Sequence, residues 1–232
     1  MKKLLSLSLA SVAFAALAVN FSPDIGVHQF TSSSANFLLP VEFDSLSGAS
    51  EISPRELVAT NGLDVATTWL YIFKDNACTA WQLTASGWTA ASTSDSELGP
   101  ISADDTVTLA GGSAIWITGV TGKNISIYGK VITSKTSTIV RGKTNLLANP
   151  TDATVTGTTL ATKLESVAQV KDKITPIGGS FAGYYVYSGT TTGWVHVNGT
   201  TITKGATLPD IAANQGFWYV ASGSGDPSAI NW

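Results

Sequence analysis

The sequence predicts an all-β protein made of two tandem β-sandwich-like or open-barrel modules, each with one short helix. Three observations predict it. Short tracts rich in Thr, Val, Ile and aromatic residues alternate with turn residues along the chain. A set of landmarks recurs in the same order in the two halves. A helical segment falls at the same place in each half.

Taken from the amino terminus, Lys2 and Lys3 precede an apolar run from Leu4 to Leu17, and Ala16-Leu17-Ala18 gives the small-x-small pattern of a signal-peptidase site. Residues 1–18 are therefore expected to be a signal peptide, with Val19 the first mature residue. The run falls short of the ~20 residues that span a bilayer comfortably. An uncleaved anchor helix is the alternative. No cysteine lies near the cut, which argues against a lipid anchor, and no second apolar stretch of spanning length follows. The expected destination is the periplasm, the cell surface or the medium, with no transmembrane segment after cleavage.

The 232 residues include 13 basic and 16 acidic side chains, and loss of Lys2 and Lys3 makes the mature chain more acidic. That balance lacks the clustered basic face of a nucleic-acid binder. Charged residues make up only 12%, about half the usual share. Cys78 is the single cysteine, so no intramolecular disulfide forms and stability must come from a core.

The repeat carries most of the information. Asn36-Phe37-Leu38-Leu39-Pro40 parallels Asn145-Leu146-Leu147-Ala148-Asn149-Pro150. Asp64 and Asp172 follow these Asn residues at 28 and 27 positions, and Gly87-Trp88 and Gly193-Trp194 come next. Gly112 to Trp116 then parallels Asn214 to Trp218, and each copy closes on a short apolar strand, Ile125–Tyr128 or Ala229–Trp232. The expected modules are residues 19–128 and 129–232, with the repeat units at Gly26–Tyr128 and Gly129–Trp232. The clearest strands are 70–73, 106–109, 115–117, 184–187, 194–197 and 217–220. Residues 201–203 follow a hairpin-like Asn198-Gly199. In the first unit Ser53-Pro54-Arg55-Glu56 reads as a capping box with proline at the first helical position, and Gly62 is placed to end the helix. In the second, residues 159–168 put Leu160, Leu164 and Val167 on one face. Each helix is expected to plug one end of its module.

Asn145, Leu146, Pro150, Asp172, Gly193, Trp194, Gly216, Phe217, Trp218 and Tyr219 form a pattern, N-L-x-x-x-P then Asp, G-W and G-F-W-Y. It resembles that of exported bacterial β-rich proteins with no assigned activity. The first unit departs from it at Pro40 and at Ala114-Ile115. The resemblance implies architecture and export, not chemistry.

No nucleophile elbow, phosphate loop or HExxH motif occurs. His28 and His196 stand apart, without the further ligands a zinc site needs. Asp104-Asp105 and Asp95-Ser96-Glu97 are the densest carboxylates. They read as solvated loop charges, with calcium binding or a glycosidase pair as the rival readings. The paired Asp64 and Asp172 read as turn caps or acceptors of backbone N–H. Seven tryptophans remain: Trp69, Trp81, Trp88, Trp116, Trp194, Trp218 and Trp232. Trp116 and Trp218, in apolar strands, are expected in the module cores. Trp88 and Trp194 follow a glycine at a turn and are the candidate ligand contacts. The expected function is a non-enzymatic surface or extracellular protein, structural or adhesive, needing no catalytic residue, metal or cofactor. The alternative is a carbohydrate-binding protein using Trp88 and Trp194. The sequence does not identify the partner; a cell-surface glycan and other surface proteins are the classes left open.

Overall fold

The computed structural model describes residues 25–95, 99–132, 135–151, 153–177, 181–213 and 215–232. The signal peptide, its cleavage site at Val19, Ser96, Glu97 and Asn214 lie outside these residues. The first half runs through β1 (Ile25–Thr31), β2 (Asn36–Pro40), β3 (Phe43–Asp44), β4 (Glu51–Ile52) and the one-turn helix α1 (Pro54–Leu57). It continues with β5 (Trp69–Lys74), β6 (Ala77–Thr84), β7 (Gly87–Ala90), β8 (Thr93–Asp95), β9 (Gly99–Ile101), β10 (Leu109–Ala110), β11 (Ala114–Thr118) and β12 (Asn124–Val131). The second half comprises β13 (Thr136–Ile139), β14 (Thr144–Ala148), helix α2 (Gly157–Glu165) and β15 (Lys173–Ile177). After these come β16 (Tyr184–Tyr187), β17 (Trp194–Asn198), β18 (Thr201–Lys204), β19 (Gly216–Val220) and β20 (Ser228–Asn231).

Among the described residues the fold is all-β, in several antiparallel sheets with no closed barrel. One principal sheet has the order β2-β11-β5-β6-β7, the other β14-β19-β15-β16-β17-β18. Beside the first lies β1-β12-β3, and beside the second β13-β20. Register makes the correspondence residue by residue. Trp116 pairs with Leu38 and Trp218 with Leu146. Leu83 pairs with Trp88 and Tyr187 with Trp194.

Each principal sheet buries one face against its own covering elements. In the first half Leu39, Leu70, Ile72, Trp81, Leu83, Trp88, Ile115 and Ile117 form one cluster with Leu57 of α1. In the second, Leu147, Ile174, Tyr187, Trp194, Phe217 and Tyr219 do so with Leu160 and Leu164 of α2. The opposite faces meet in a third cluster of Leu38, Ala114, Leu146 and Ala148, joined by Phe73, Trp116, Ile177 and Trp218. Ala148 N–H donates to the Gly112 carbonyl at 3.3 Å, and the Ser137 hydroxyl donates to the same oxygen at 2.9 Å. Gly216 is required here, because a Cβ would collide with the Leu147 carbonyl and the Leu38 side chain.

Several sequence expectations are corrected. The edge placed between 128 and 129 falls inside β12, which stays paired with β1 as far as Lys130 opposite Ile25. The tract 106–109 forms a strand only at Leu109–Ala110, because Thr106 closes a turn by donating its N–H and hydroxyl to Asp104 at 2.9 and 2.7 Å. Helix α1 stops at Leu57, not at Gly62. Val58 is already extended and bridges Ile127, with its carbonyl taken by Trp88. Ser53 caps as expected, accepting from Glu56 N–H, but the Glu56 carboxylate turns to the Ser45 hydroxyl and the Leu46 N–H. Helix α2 begins two residues before the expected start at 159, capped by Thr156.

Candidate binding face

Trp88 and Trp194 are the ligand contacts expected from sequence, and the fold buries both at 3% exposure. The turn glycines, Gly87 and Gly193, do stand at positive φ. The chain re-enters the sheet at once, however, and the indole points into the core. Trp88 Nε1 donates to the Val58 carbonyl at 2.8 Å. Trp194 packs against Tyr187 at 5.2 Å between ring centroids.

Trp116 and Trp218 exchange places with them. Strand alternation puts each opposite its neighbours, as pleating requires. The neighbours take the core: Ile115 and Ile117 at 0% exposure, and Phe217 and Tyr219 likewise. Trp116 and Trp218 are therefore only half-buried, on the opposite faces where the two sheets meet. Trp218 meets Phe73 edge-on at 4.7 Å. The expectation that Trp218 lies in its own module's core is wrong for this reason. Beside that contact runs a cavity of about 580 Å³ lined by residues that include Phe73, Asn76, Cys78, Ser102, Thr144 and Trp218. Of the other tryptophans, Trp81 is buried beneath the Arg55 guanidinium, and Trp232 donates to the Ser137 hydroxyl.

Trp69 is the residue the sequence reading did not single out. It lies on β5 with Tyr71, two positions on and thus on the same face. Their rings are 6.4 Å apart and tilted by only 20°, and both are half-buried. Adjacent strands place Asn36, Thr118, Trp69, Gln82 and Thr89 in one cross-sheet row. Gln82 is oriented by donating to the Ala66 carbonyl at 2.8 Å. This face therefore carries an aromatic platform flanked by amides and hydroxyls. The i, i+2 spacing of Trp69 and Tyr71 within a strand was the available signal.

The isolated polar candidates have structural surroundings. His28 pairs with the buried Glu42 at 2.7 Å and packs against Phe30, with the ring centroids 4.1 Å apart and the planes tilted by 33°. His196 donates to the Ala182 carbonyl and stacks on Tyr185. Asp64 is an exposed partner of Lys123 at 3.0 Å. Asp172 is fully buried, on Arg141 at 2.6 Å. Burial pushes its carboxyl up, but the Gln169 N–H, the Tyr219 and Ser222 hydroxyls and Arg141 together hold it below the ordinary carboxylate range. Its register equivalent is Thr68 rather than Asp64. The Leu83 N–H donates to the Thr68 carbonyl and the Tyr187 N–H to that of Asp172. Among the described residues no three His, Cys, Asp or Glu side chains gather as metal ligands, and no helix is long and apolar enough to cross a membrane. The resemblance residue Asn145 serves the frame, donating to the Tyr219 carbonyl and accepting from the Val140 N–H. Comparison with protein-family models, with curated proteins and with solved structures found no match.

Proposed function

We propose that this is an exported, non-enzymatic surface protein that works by adhesion, and that its ligand is carbohydrate held on the Trp69–Tyr71 face. The Lys2-Lys3 head and the apolar run behind it support export. The matched order of the two principal sheets supports duplication of one β unit. The observation that carries the ligand is the near-parallel pair Trp69 and Tyr71, set in a row with Asn36, Thr118, Gln82 and Thr89. A pyranose ring presents C–H groups on its faces and hydroxyls round its rim. Flat aromatic rings take the faces, while amides and hydroxyls beside them take the rim.

The test is depletion of the purified mature chain by insoluble cellulose, chitin and bacterial cell-wall sacculi. Trp69→Ala and Tyr71→Ala are expected to weaken retention on the bound polymer about tenfold or more, equal to ~1.4 kcal/mol, at unchanged far-ultraviolet circular dichroism. Trp218→Ala should retain binding. Failure of the parent to bind any of the three polymers, or full retention by Trp69→Ala and Tyr71→Ala, refutes the reading.

A further inference from the structure

The outward face of the six-stranded sheet differs from its counterpart in the first half. Beyond the strands that meet the other sheet, it presents Tyr184, Val186, Val197 and Ile202 with Lys173 and Lys204. Ile202 is 64% exposed. The Lys173 ammonium lies 4.5 Å from the centre of the Tyr184 ring. No carboxylate occupies a paired position on this face from β19 to β18. Tyr184, Val186 and Val197 are half-buried, so the exposed apolar side chain of this set is Ile202, with Lys204 two positions on along the same face of its strand. An exposed apolar residue among cations is the composition of an interaction surface.

Charge along the chain indicates the occupant. Residues 19–131 hold eleven acidic and four basic side chains, whereas residues 132–232 hold five acidic and seven basic. In the first half Lys74 and Lys123 are already engaged by Glu51 and Asp64, while in one loop Asp105 stands exposed beside the half-buried Asp104. Two copies of the lysine face would repel each other, which disfavours a symmetric pairing through it. A cationic apolar face in one half and an acid-rich surface in the other are complementary between copies, head to tail. We propose that this protein self-associates in that way. The Lys173–Ile202–Lys204 face of one copy receives the acidic first half of the next, in the region of Asp104 and Asp105. Such an interface is heterologous, so it builds past two copies into open chains, or into rings where the rotation closes. Independently of what the aromatic face binds, this would multiply adhesive sites along an assembly.

Sedimentation velocity of the mature chain over a concentration series tests this. At about 10 mM salt, where screening reaches ~30 Å, the average mass should climb past the dimer as concentration rises. At about 1 M salt, where it reaches ~3 Å, the protein should return to monomer. Lys173→Glu/Lys204→Glu and Asp104→Lys/Asp105→Lys should each stay monomeric at low salt, and an equimolar mixture of the two should associate again. A parent that stays monomeric at low salt overturns the proposal, as does association unaffected by the lysine variant. A parent that stays monomeric yet binds anionic phospholipid vesicles through Lys173 and Lys204 would assign the face to a membrane and also overturn it.

Discussion

Thr68 and Asp172 hold the same place in the two halves, just ahead of the strand that crosses each sheet's centre, and both have 0% exposure. Thr68 keeps its hydroxyl buried without a hydrogen-bond partner among the described residues, and Ile117 stands opposite Leu70 in the sheet. At the equivalent of Ile117 the second half has Tyr219, opposite Ile174. Its hydroxyl donates to Asp172 at 2.5 Å, while Arg141 donates to the same carboxylate and to the Val167 carbonyl. Ser222 adds its N–H and hydroxyl at 2.6 and 2.7 Å. The backbone frame is unchanged, so the frame does not require the charges. One half closes this position with a neutral threonine, the other with a buried ion pair whose members depend on each other. Removing one partner of such a pair leaves a buried uncompensated charge, whereas removing the whole set can be neutral.

The largest expected effect follows. Arg141→Met should cost ~3–5 kcal/mol, because Asp172 is left buried without its cation. The combined variant Arg141→Met/Asp172→Thr/Tyr219→Ile gives the second half the first half's chemistry and should recover most of that loss in calorimetric melts. A combined variant no more stable than Arg141→Met would mean that the two halves are not interchangeable at this position. Acid should separate them too. Asp172 titrates below its unfolded value, so its contribution is present above the unfolded pKa of ~3.9 and is lost as pH falls through the lower folded value. Below about pH 4 the wild-type melt should fall more steeply than that of the combined variant.

Next in size is the contrast between Trp88 and Trp194, both in the cores and both paired at the same register. Only Trp88 has its indole N–H satisfied, by Val58 just past α1. Trp194 Nε1 is buried without a hydrogen-bond partner among the described residues. Trp88→Phe therefore leaves the Val58 carbonyl unpaired and should cost ~1–3 kcal/mol. Trp194→Phe removes an unsatisfied donor along with some ring area and should be close to neutral. Equal losses in chemical denaturation would mean that ring volume, not the hydrogen bond, distinguishes them.

The strands themselves were legible in the sequence, because alternation and turn residues act locally. Asn198-Gly199 marks the β17–β18 hairpin, with Gly199 at positive φ. Which face of a strand is the core was not legible. Ala114-Ile115-Trp116-Ile117 and Leu146-Leu147-Ala148 are buried on both faces, so alternation assigns Trp116 and its neighbours to opposite sides without saying which side is deeper. Such continuous apolar runs are themselves the mark of a sheet covered twice. The turn tryptophans were misread for a related reason, since a glycine at positive φ reports the turn and not the direction of the next side chain. Arg141 escaped notice because its partner lies 31 positions away. Matching Asp64 to Asp172 failed because sequence spacing absorbs insertions that register does not.

Between the halves, Trp218→Ala should cost about 1–2 kcal/mol, the edge-on contact with Phe73 plus part of one ring's burial. This is less than the ~3–5 kcal/mol of a fully buried tryptophan truncation. Its particular signature should be faster hydrogen exchange at Ala148 N–H, which crosses between the two sheets, with the core strands still protected. A loss as large as that of Trp88→Ala would put Trp218 back among the core residues.

The smallest expected effect separates the two helices. Ser53 accepts from Glu56 N–H, and Thr156 accepts from Thr159 N–H, each at 3.3 Å. In the second half, however, Asp210 also reaches the first turn and takes the Gly157 N–H at 2.8 Å. That backbone approaches Leu208 so closely that a Cβ on Gly157 has no room. The start of α2 is thus held by tertiary contacts as well as by its cap. Helix α1 is a single turn, too short to persist without outside support, and its cap is a larger share of what fixes it. Ser53→Ala is expected to cost about 1 kcal/mol and Thr156→Ala about 0.5 kcal/mol. The loss in Ser53→Ala should reach Trp88, because Val58 follows that turn directly and supplies the indole's acceptor. A shift in the Trp88 indole N–H resonance of Ser53→Ala, with the Trp194 resonance unmoved, is the expected result. Equal losses from the two caps, with both indole signals unmoved, would show that α1 is held by Leu57 packing alone.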